Sequence, residues 1–139
     1  MAFYPGMTLA TLPVGYIQVS AGGTGYDYYD GVYFQPIASL SSGYAVVAPP
    51  VGVVVPQLPS SAEPVADGST TYYYAGGAFY LQVASGFEVM PAPLGVAVTT
   101  LPAGATPVSV KGVLYYLASN VYYRPAMLGG VTVYTTASP

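Results

Sequence analysis

The sequence contains no cysteine, no histidine and no tryptophan among its 139 residues. The absence of cysteine excludes disulfides, thiolate metal sites and thiol catalysis. The absence of histidine removes the commonest general base and the commonest metal ligand. Without histidine, no nucleophile–base pair can be assigned to a serine or threonine. We therefore expect a protein that is not an enzyme and that uses no cofactor and no metal.

Charged residues are almost as scarce, since they form 5% of the chain against roughly a quarter of an average soluble domain. Only two residues are basic, and two cations cannot neutralise a phosphate backbone, which excludes nucleic acid as a partner. A surface with so little charge does not keep monomers apart. The composition thus predicts a surface covered by copies of the same chain, or by glycosylation of its many Ser and Thr residues.

Long apolar runs are missing as well. The longest candidate, 44–55, is interrupted by Pro49, Pro50 and Gly52, so no membrane-spanning helix is expected. The first residues lack a basic region followed by an apolar one, and no signal peptide is visible. We expect either a mature form or a chain that is used without classical secretion.

Internal repetition is the strongest feature that the sequence does contain. The dipeptide Leu-Pro begins at residues 12, 58 and 101, in steps of 46 and 43 residues. A glycine lies six residues before each leucine, a turn residue (Gly or Asn) lies nineteen after it, and another glycine opens the last run of each unit, at residues 43, 86 and 130. These markers predict a tandem repeat.

The markers divide the chain into three units. Unit 1 is 6–51, unit 2 is 52–94 and unit 3 is 95–139, with 1–5 as the closing piece of a unit and a candidate inter-subunit contact. The difference between the two periods falls within 37–42, which is predicted to be a variable loop.

Each unit is predicted to be all-β. Runs of four to six residues rich in Val, Thr and Tyr, separated by Gly and Pro, indicate short strands joined by tight turns. No apolar period of 3.6 residues is sustained. A unit of about 45 residues suits a β-meander or a small SH3-like barrel, which alone buries too little surface to be stable. We therefore predict three tandem repeats that share a core.

The sixteen tyrosines lie mostly in the predicted hairpin strands. Because successive side chains of a strand point to opposite faces, some of them must face outward. An exposed aromatic face suits a partner subunit or the stacking of sugar rings, and core filling is the alternative. The candidate interface residues are Tyr4, Tyr28, Tyr33, Tyr73, Phe79, Tyr116, Tyr122 and Tyr134.

Two other features invite a ligand but have simpler interpretations. Asp27 and Asp30 flank a predicted hairpin tip and could contribute oxygens to a Ca²⁺ site. However, Asp30-Gly31 is also a preferred turn dipeptide for backbone reasons alone. The glycine-rich segment 22–25 lacks the lysine and the following helix of a phosphate-binding loop. We expect turns at both places.

The third unit carries a more specific pattern. An LPxG turn at Leu101–Gly104 precedes Val108–Tyr116 and Asn120–Pro125, a hairpin of the YYxxGVYYRP type. In these segments the chain resembles a family of uncharacterised bacterial envelope proteins. Unit 1 keeps Gly31–Pro36 of this pattern and unit 2 keeps Gly77–Tyr80. The resemblance implies an exported, surface-associated β-protein without known catalysis.

These features predict a structural protein that is extracellular or at the cell surface. Its subunits would form a filament or coat through β-edge pairing and tyrosine-rich interfaces, and head-to-tail stacking is one arrangement. A carbohydrate- or cell-wall-binding module with exposed tyrosines is the alternative from another class. A virion decoration or fibre protein is a third.

Overall fold

Three separate β-sheets form the protein. A computed structural model describes residues 3–37 and 43–139. These residues form three antiparallel sheets of five strands each and contain no helix, which confirms the all-β prediction of three tandem repeats. Residues 38–42 of the predicted variable loop lie outside the described residues.

Each sheet contains the strands of one unit. Unit 1 has β1 (Thr8–Leu9), β2 (Ile17–Ala21), β3 (Thr24–Tyr29), β4 (Val32–Pro36) and β5 (Tyr44–Val47). Unit 2 has β6 (Val54–Val55), β7 (Glu63–Asp67), β8 (Thr70–Ala75), β9 (Ala78–Val83) and β10 (Gly86–Met90). Unit 3 has β11 (Ala97–Val98), β12 (Thr106–Val110), β13 (Val113–Ala118), β14 (Val121–Leu128) and β15 (Val131–Ala137). In every sheet the order is first, fifth, fourth, third and second strand.

The central hairpin of each unit closes with a two-residue turn in which both residues have positive φ. The three turns are Asp30-Gly31, Gly76-Gly77 and Ser119-Asn120. Two positive φ angles define a type I′ turn, whose twist matches that of the flanking strands. Asp30 therefore has the backbone role that the sequence indicated, since Asp tolerates this conformation better than most residues do.

Close contact between the hairpin turns adds a second constraint on the glycines of unit 2. A Cβ at Gly76 would lie 2.6 Å from the carbonyl oxygen of Gly31, and a Cβ at Gly77 would lie 3.1 Å from Pro102. The turn of unit 2 thus packs so closely on unit 1 that a side chain at Gly76 would clash, and its contact with Pro102 of unit 3 is also tight.

Main-chain hydrogen bonds define which residues of the three units are equivalent. The carbonyls of Val46, Val89 and Thr136 accept bonds from the first glycines of the units, Gly6, Gly52 and Gly95, at 2.9 Å. In this register β14 and β15, with 8 and 7 residues, are longer than β9 and β10, with 6 and 5. Gly130 therefore lies in the turn of a longer hairpin and is not equivalent to Gly43 and Gly86, as the sequence pattern had indicated.

The hydrophobic core lies between the sheets, not within any one of them. We call the side of a unit that packs on the next unit its forward face, and the side that packs on the preceding unit its rear face. Between units 1 and 2, Tyr28 and Tyr33 of the forward face pack with Val53, Val55 and Tyr80 of the rear face. The prediction that the repeats share a core is thereby confirmed.

A second core of the same kind joins units 2 and 3. Tyr74 and Phe79 of the forward face of unit 2 pack with Val96, Val98 and Tyr123 of the rear face of unit 3. Complete burial of a single Phe or Val side chain contributes about 1.5–3 kcal/mol. Each interface buries several such side chains, so the contact between units supplies most of the apolar burial.

The rear face of unit 1 is covered by the start of the chain. The ring of Phe3 packs edge-on against Phe34, with ring centroids 5.6 Å apart, and Phe34 is completely buried. Tyr4 lies against unit 3, where a Cβ at Gly104 would be 2.8 Å from the Cβ of Tyr4. Residues 3–5, predicted to be a closing piece, thus contact their own chain.

A hydrogen bond between two buried tyrosines links units 1 and 2. The hydroxyls of Tyr33 and Tyr80 are 2.6 Å apart, and both side chains are buried. At the equivalent place between units 2 and 3, Phe79 takes the position of Tyr33. Among the described residues, the buried hydroxyls of Tyr74 and Tyr123 have no hydrogen-bond partner.

Changing either Tyr33 or Tyr80 to Phe should lower the free energy of unfolding by about 1–3 kcal/mol, because the remaining hydroxyl is buried without a partner. The double variant should lose much less than the sum of the two. Urea unfolding measures this, with Tyr16→Phe as the control because that side chain is 43% exposed. Additive effects of the two single variants would contradict a pairwise bond.

Candidate interaction face

In the described part of the chain, the forward face of unit 3 has no fourth unit to cover it. Directly paired residues of an antiparallel sheet share one face, and Leu117 pairs with Tyr122. These two residues hold the positions of Tyr74 and Phe79 in unit 2, which are 3% and 1% exposed. In unit 3 both are only half-buried.

We call this surface the open face. Its half-buried members are Val108, Val110, Val113, Tyr115, Leu117, Tyr122, Val133, Thr135 and Ala137. Its exposed members are Thr106, Arg124, Ala126, Leu128 and Val131. No described residue of the open face is fully buried, whereas the forward faces of units 1 and 2 contain five buried aliphatic or aromatic side chains: Tyr28, Tyr33, Val65, Tyr74 and Phe79.

Two aromatic rings lie at the centre of the open face. Tyr115 and Tyr122 contact each other edge to face, with ring centroids 6.0 Å apart and an angle of 79° between the ring planes. Of the members of the open face, Arg124 alone is charged, and one cation does little to hydrate a surface that is otherwise made of Val, Leu, Ala, Thr and Tyr. The open face therefore has the composition of an interface.

The longer hairpin of unit 3 extends the open face. Leu128 pairs directly with Val131 at the end of β14 and β15, and their side chains are 68% and 56% exposed. The turn between them, Gly129-Gly130, has φ angles of 59° and 83°, again a type I′ turn. The extension adds apolar surface on the side where no described unit packs.

Buried tyrosines distinguish the covered faces from the open one. Burial raises the pKa of Tyr28 to about 12, and its hydroxyl donates to the carbonyl of Gln57 at 3.1 Å. Burial also raises the pKa of Tyr33, Tyr74, Tyr80 and Tyr123. All five side chains belong to the interfaces between units.

These five tyrosines should make the protein sensitive to alkali. Because the folded pKa values exceed the unfolded value of about 10, the folded state binds more protons above that pH. Stability is then complete below about pH 10 and falls as the pH rises toward the folded pKa values. Absorbance at 295 nm should show exposed tyrosines ionising first and a later step that coincides with loss of circular dichroism. One phase near pH 10 with the fold intact would contradict this.

Asp27 is a buried carboxyl at a position that tyrosine occupies in the other units. It is 8% exposed, and Tyr73 and Tyr116 hold the equivalent places, opposite Tyr80 and Tyr123. Burial raises the pKa of the Asp27 carboxyl, since the charged form loses its hydration.

Replacing Asp27 by Asn should raise the free energy of unfolding at pH 7. The folded pKa lies above the unfolded value of about 3.9, so the folded state binds more protons and stability falls as the pH rises from about 4 through the folded pKa. Urea unfolding between pH 3.5 and 7 should show this decline in the native chain and a flatter profile in Asp27→Asn. The exposed Asp67→Asn is the control, and a loss of stability at pH 7 in Asp27→Asn would contradict the interpretation.

A family model matches nearly the whole chain, over residues 2–138. The chain belongs to DUF6515, a family of unknown function. The match covers all three units rather than one of them. No curated protein and no solved structure matches the chain.

The DUF6515 chain places the predicted interface residues in three environments. Tyr28, Tyr33 and Phe79 are buried between units, so the expectation that they face outward is wrong, because the neighbouring sheet covers their strands. Tyr73, Tyr116 and Tyr134 are half-buried on rear faces, within the interfaces between units. Tyr122 lies on the open face, and Tyr4 is 46% exposed.

Sequence reasoning missed Tyr115 and Leu117. The repeat register contains the signal that identifies them, because Leu117 lies sixteen residues after Leu101, as Tyr28 does after Leu12. The repeat register does not show that no described unit packs on the forward face of unit 3.

Metal-binding clusters and membrane-spanning helices are both absent from the described part of the DUF6515 chain. No group of three or more His, Cys, Asp or Glu residues there is placed to hold a metal ion. The same residues contain no helix that is long and apolar enough to cross a membrane.

Proposed function

We propose that this DUF6515 chain is a structural subunit that assembles with copies of itself into a filament or coat, outside the cell or at its surface. The observation that carries the proposal is the open face of unit 3. Its residues occupy the positions that form the two internal interfaces, yet no described residue of the single chain packs on them as a further sheet.

The open face differs from the terminal surface of a protein built to remain a monomer. Terminal repeats of soluble repeat proteins carry a polar outer face, because an apolar one would associate. Here the outer face carries Tyr115, Leu117 and Tyr122 at its centre and Leu128 and Val131 on its extension. Large apolar patches of this kind mark interaction sites.

The few acidic residues support a role without catalysis. Glu63 is engaged between units, where its carboxylate accepts bonds from the N–H of Thr99 at 3.2 Å and from its hydroxyl at 3.1 Å. Asp27 is buried and Asp30 forms a turn. Neither Glu63 nor Asp27 is therefore free to act as a general acid or base in a cleft.

Carbohydrate or cell-wall binding is the second candidate, and one observation favours it. Tyr115 and Tyr122 form a partly exposed aromatic pair, and the exposed Arg124 lies two residues further along the same face of β14. Aromatic rings with a polar group beside them can stack on sugar rings. Assembly as a virion component would use the same face and differ in location.

Replacing Leu117 by Glu should weaken assembly and spare the fold. The carboxylate remains hydrated in the single chain but would have to be buried when a copy docks. Sedimentation velocity at micromolar concentration should show native particles well above 14.3 kDa and smaller ones for Leu117→Glu. Leu114→Glu is the matched control, since Leu114 is 47% exposed and points to the opposite side of β13.

Two results would oppose the proposal. One is a native chain that sediments as a monomer across the whole concentration range. The other is assembly that Leu117→Glu leaves unchanged. If the monomer is retained on polysaccharide and Tyr122→Ala loses that retention, carbohydrate binding replaces self-assembly as the function of the open face.

A further inference from the structure

The three units differ in the protection of their edge strands. Each sheet ends on its second strand, β2, β7 or β12. An edge strand presents unpaired N–H and C=O groups to which another chain can add a strand, and natural proteins block such edges with proline or charge.

The edges of units 2 and 3 are blocked at the same position. Pro64 is the second residue of β7 and Pro107 is the second residue of β12. Proline has no N–H to donate to an added strand. The strand β7 also begins at Glu63 and ends at Asp67, which adds like charges against pairing.

The edge of unit 1 carries neither form of protection. The strand β2 reads Ile-Gln-Val-Ser-Ala from Ile17 to Ala21 and contains no proline and no charge. Gln18 holds the position of the two prolines. Gln18 and Ser20 are exposed, and Ile17 is 38% exposed.

The geometry of the hairpin shows which main-chain groups of β2 face outward. The Gly22-Gly23 turn joins Ala21 to Thr24, and the residues that flank a two-residue turn are hydrogen-bonded to each other. Bonded and non-bonded pairs then alternate along an antiparallel ladder. The main-chain groups of Val19 therefore form hydrogen bonds with β3, whereas Gln18 and Ser20 direct their N–H and C=O groups away from the sheet.

The same alternation of bonded and non-bonded pairs explains why proline is tolerated in the edge strands β7 and β12. Pro64 and Pro107 lie opposite Tyr73 and Tyr116, at the outward-facing position, so no bond of their own sheet is lost. The prolines remove only the donor that an incoming strand would use.

We propose that β2 is a pairing site for β2 of a second copy of this chain. The two strands would run antiparallel about a two-fold axis at Val19, and the two five-stranded sheets would become one of ten strands. The main-chain N–H and C=O groups of Gln18 would then bond those of Ser20 in the second copy. By symmetry, Ser20 of the first copy would bond Gln18 of the second. The two copies of β2 have equal length and no charge, so nothing repels them.

This inference shares with the proposed function only the premise that the chain associates with itself, because β2 and the open face belong to different units. The two contacts can therefore be removed one at a time. The Leu117→Glu background isolates the edge contact.

The decisive variant is Gln18→Pro, which copies what units 2 and 3 already contain and so should fold. Gln18→Ala is the matched control, since it removes the side chain but keeps the N–H. In the Leu117→Glu background, sedimentation equilibrium should give the same dimer dissociation constant with Gln18 retained and with Gln18→Ala. The constant should be roughly ten- to hundredfold higher for Gln18→Pro, because two symmetry-related bonds are lost. Far-UV circular dichroism and urea unfolding verify that each variant is folded.

Two further measurements test the geometry. The amide proton of Ser20 should be protected from hydrogen exchange at concentrations where the dimer forms and unprotected at dilution. Pro107→Gln should create a second open edge in the uncharged β12 and increase association.

Several outcomes would overturn the inference. Equal dimerisation of Gln18→Pro and Gln18→Ala would show that the main-chain donor is not used, and an unprotected Ser20 amide in the dimer would do the same. A Leu117→Glu chain that is monomeric whatever stands at residue 18 would refute the edge contact and leave the proposed function standing. A Leu117→Glu chain that still dimerises, and loses this with Gln18→Pro, would instead support the edge contact.

Discussion

Burial of one sheet face against the next holds this protein together. A five-stranded sheet of about 45 residues cannot cover either of its own faces, because it has no second layer. Each unit therefore becomes stable only when one of its faces packs on a neighbouring unit, as Tyr33 meets Tyr80 and Phe79 meets the core around Tyr123. The contact between units is the core of the protein.

This constraint accounts for the unusual composition. A sheet that is buried on both faces has few positions left for charge, and aromatic residues fill the space between two sheets with few side chains. It also explains the cost of polar groups in these layers. The Tyr33 and Tyr80 hydroxyls satisfy each other, whereas Tyr74 and Tyr123 hold buried hydroxyls without partners in the described residues. The two interfaces thus differ in how their buried hydroxyls are paired, although both join the forward face of one unit to the rear face of the next.

Among the described residues, no further sheet packs on the rear face of unit 1 or on the forward face of unit 3. In this chain they are treated differently, because Phe3 covers Phe34 at the rear of unit 1, while the forward face of unit 3 stays open and is enlarged by the longer β14–β15 hairpin. The edges are treated differently as well, since proline stands in β7 and β12 but not in β2. Both proposed contacts use the surfaces that this asymmetry leaves unprotected.

The fold class, the three units and the positions of the central turns could all be predicted from the sequence. Leu-Pro and Gly recur at fixed spacing, with Asn120 in place of one turn glycine, because tight turns tolerate few residue types, so their pattern can be recognised without coordinates. Which tyrosines are buried could be learned only from the packing of the sheets, because alternation along a strand shows that two faces exist but not which of them a neighbour covers. Tyr33 and Tyr122 hold equivalent places in their units, yet one is buried and the other lies on the open face. The difference arises because a described sheet packs on the forward face of unit 1 and none packs on that of unit 3, which is a property of how the sheets pack and not of any local segment.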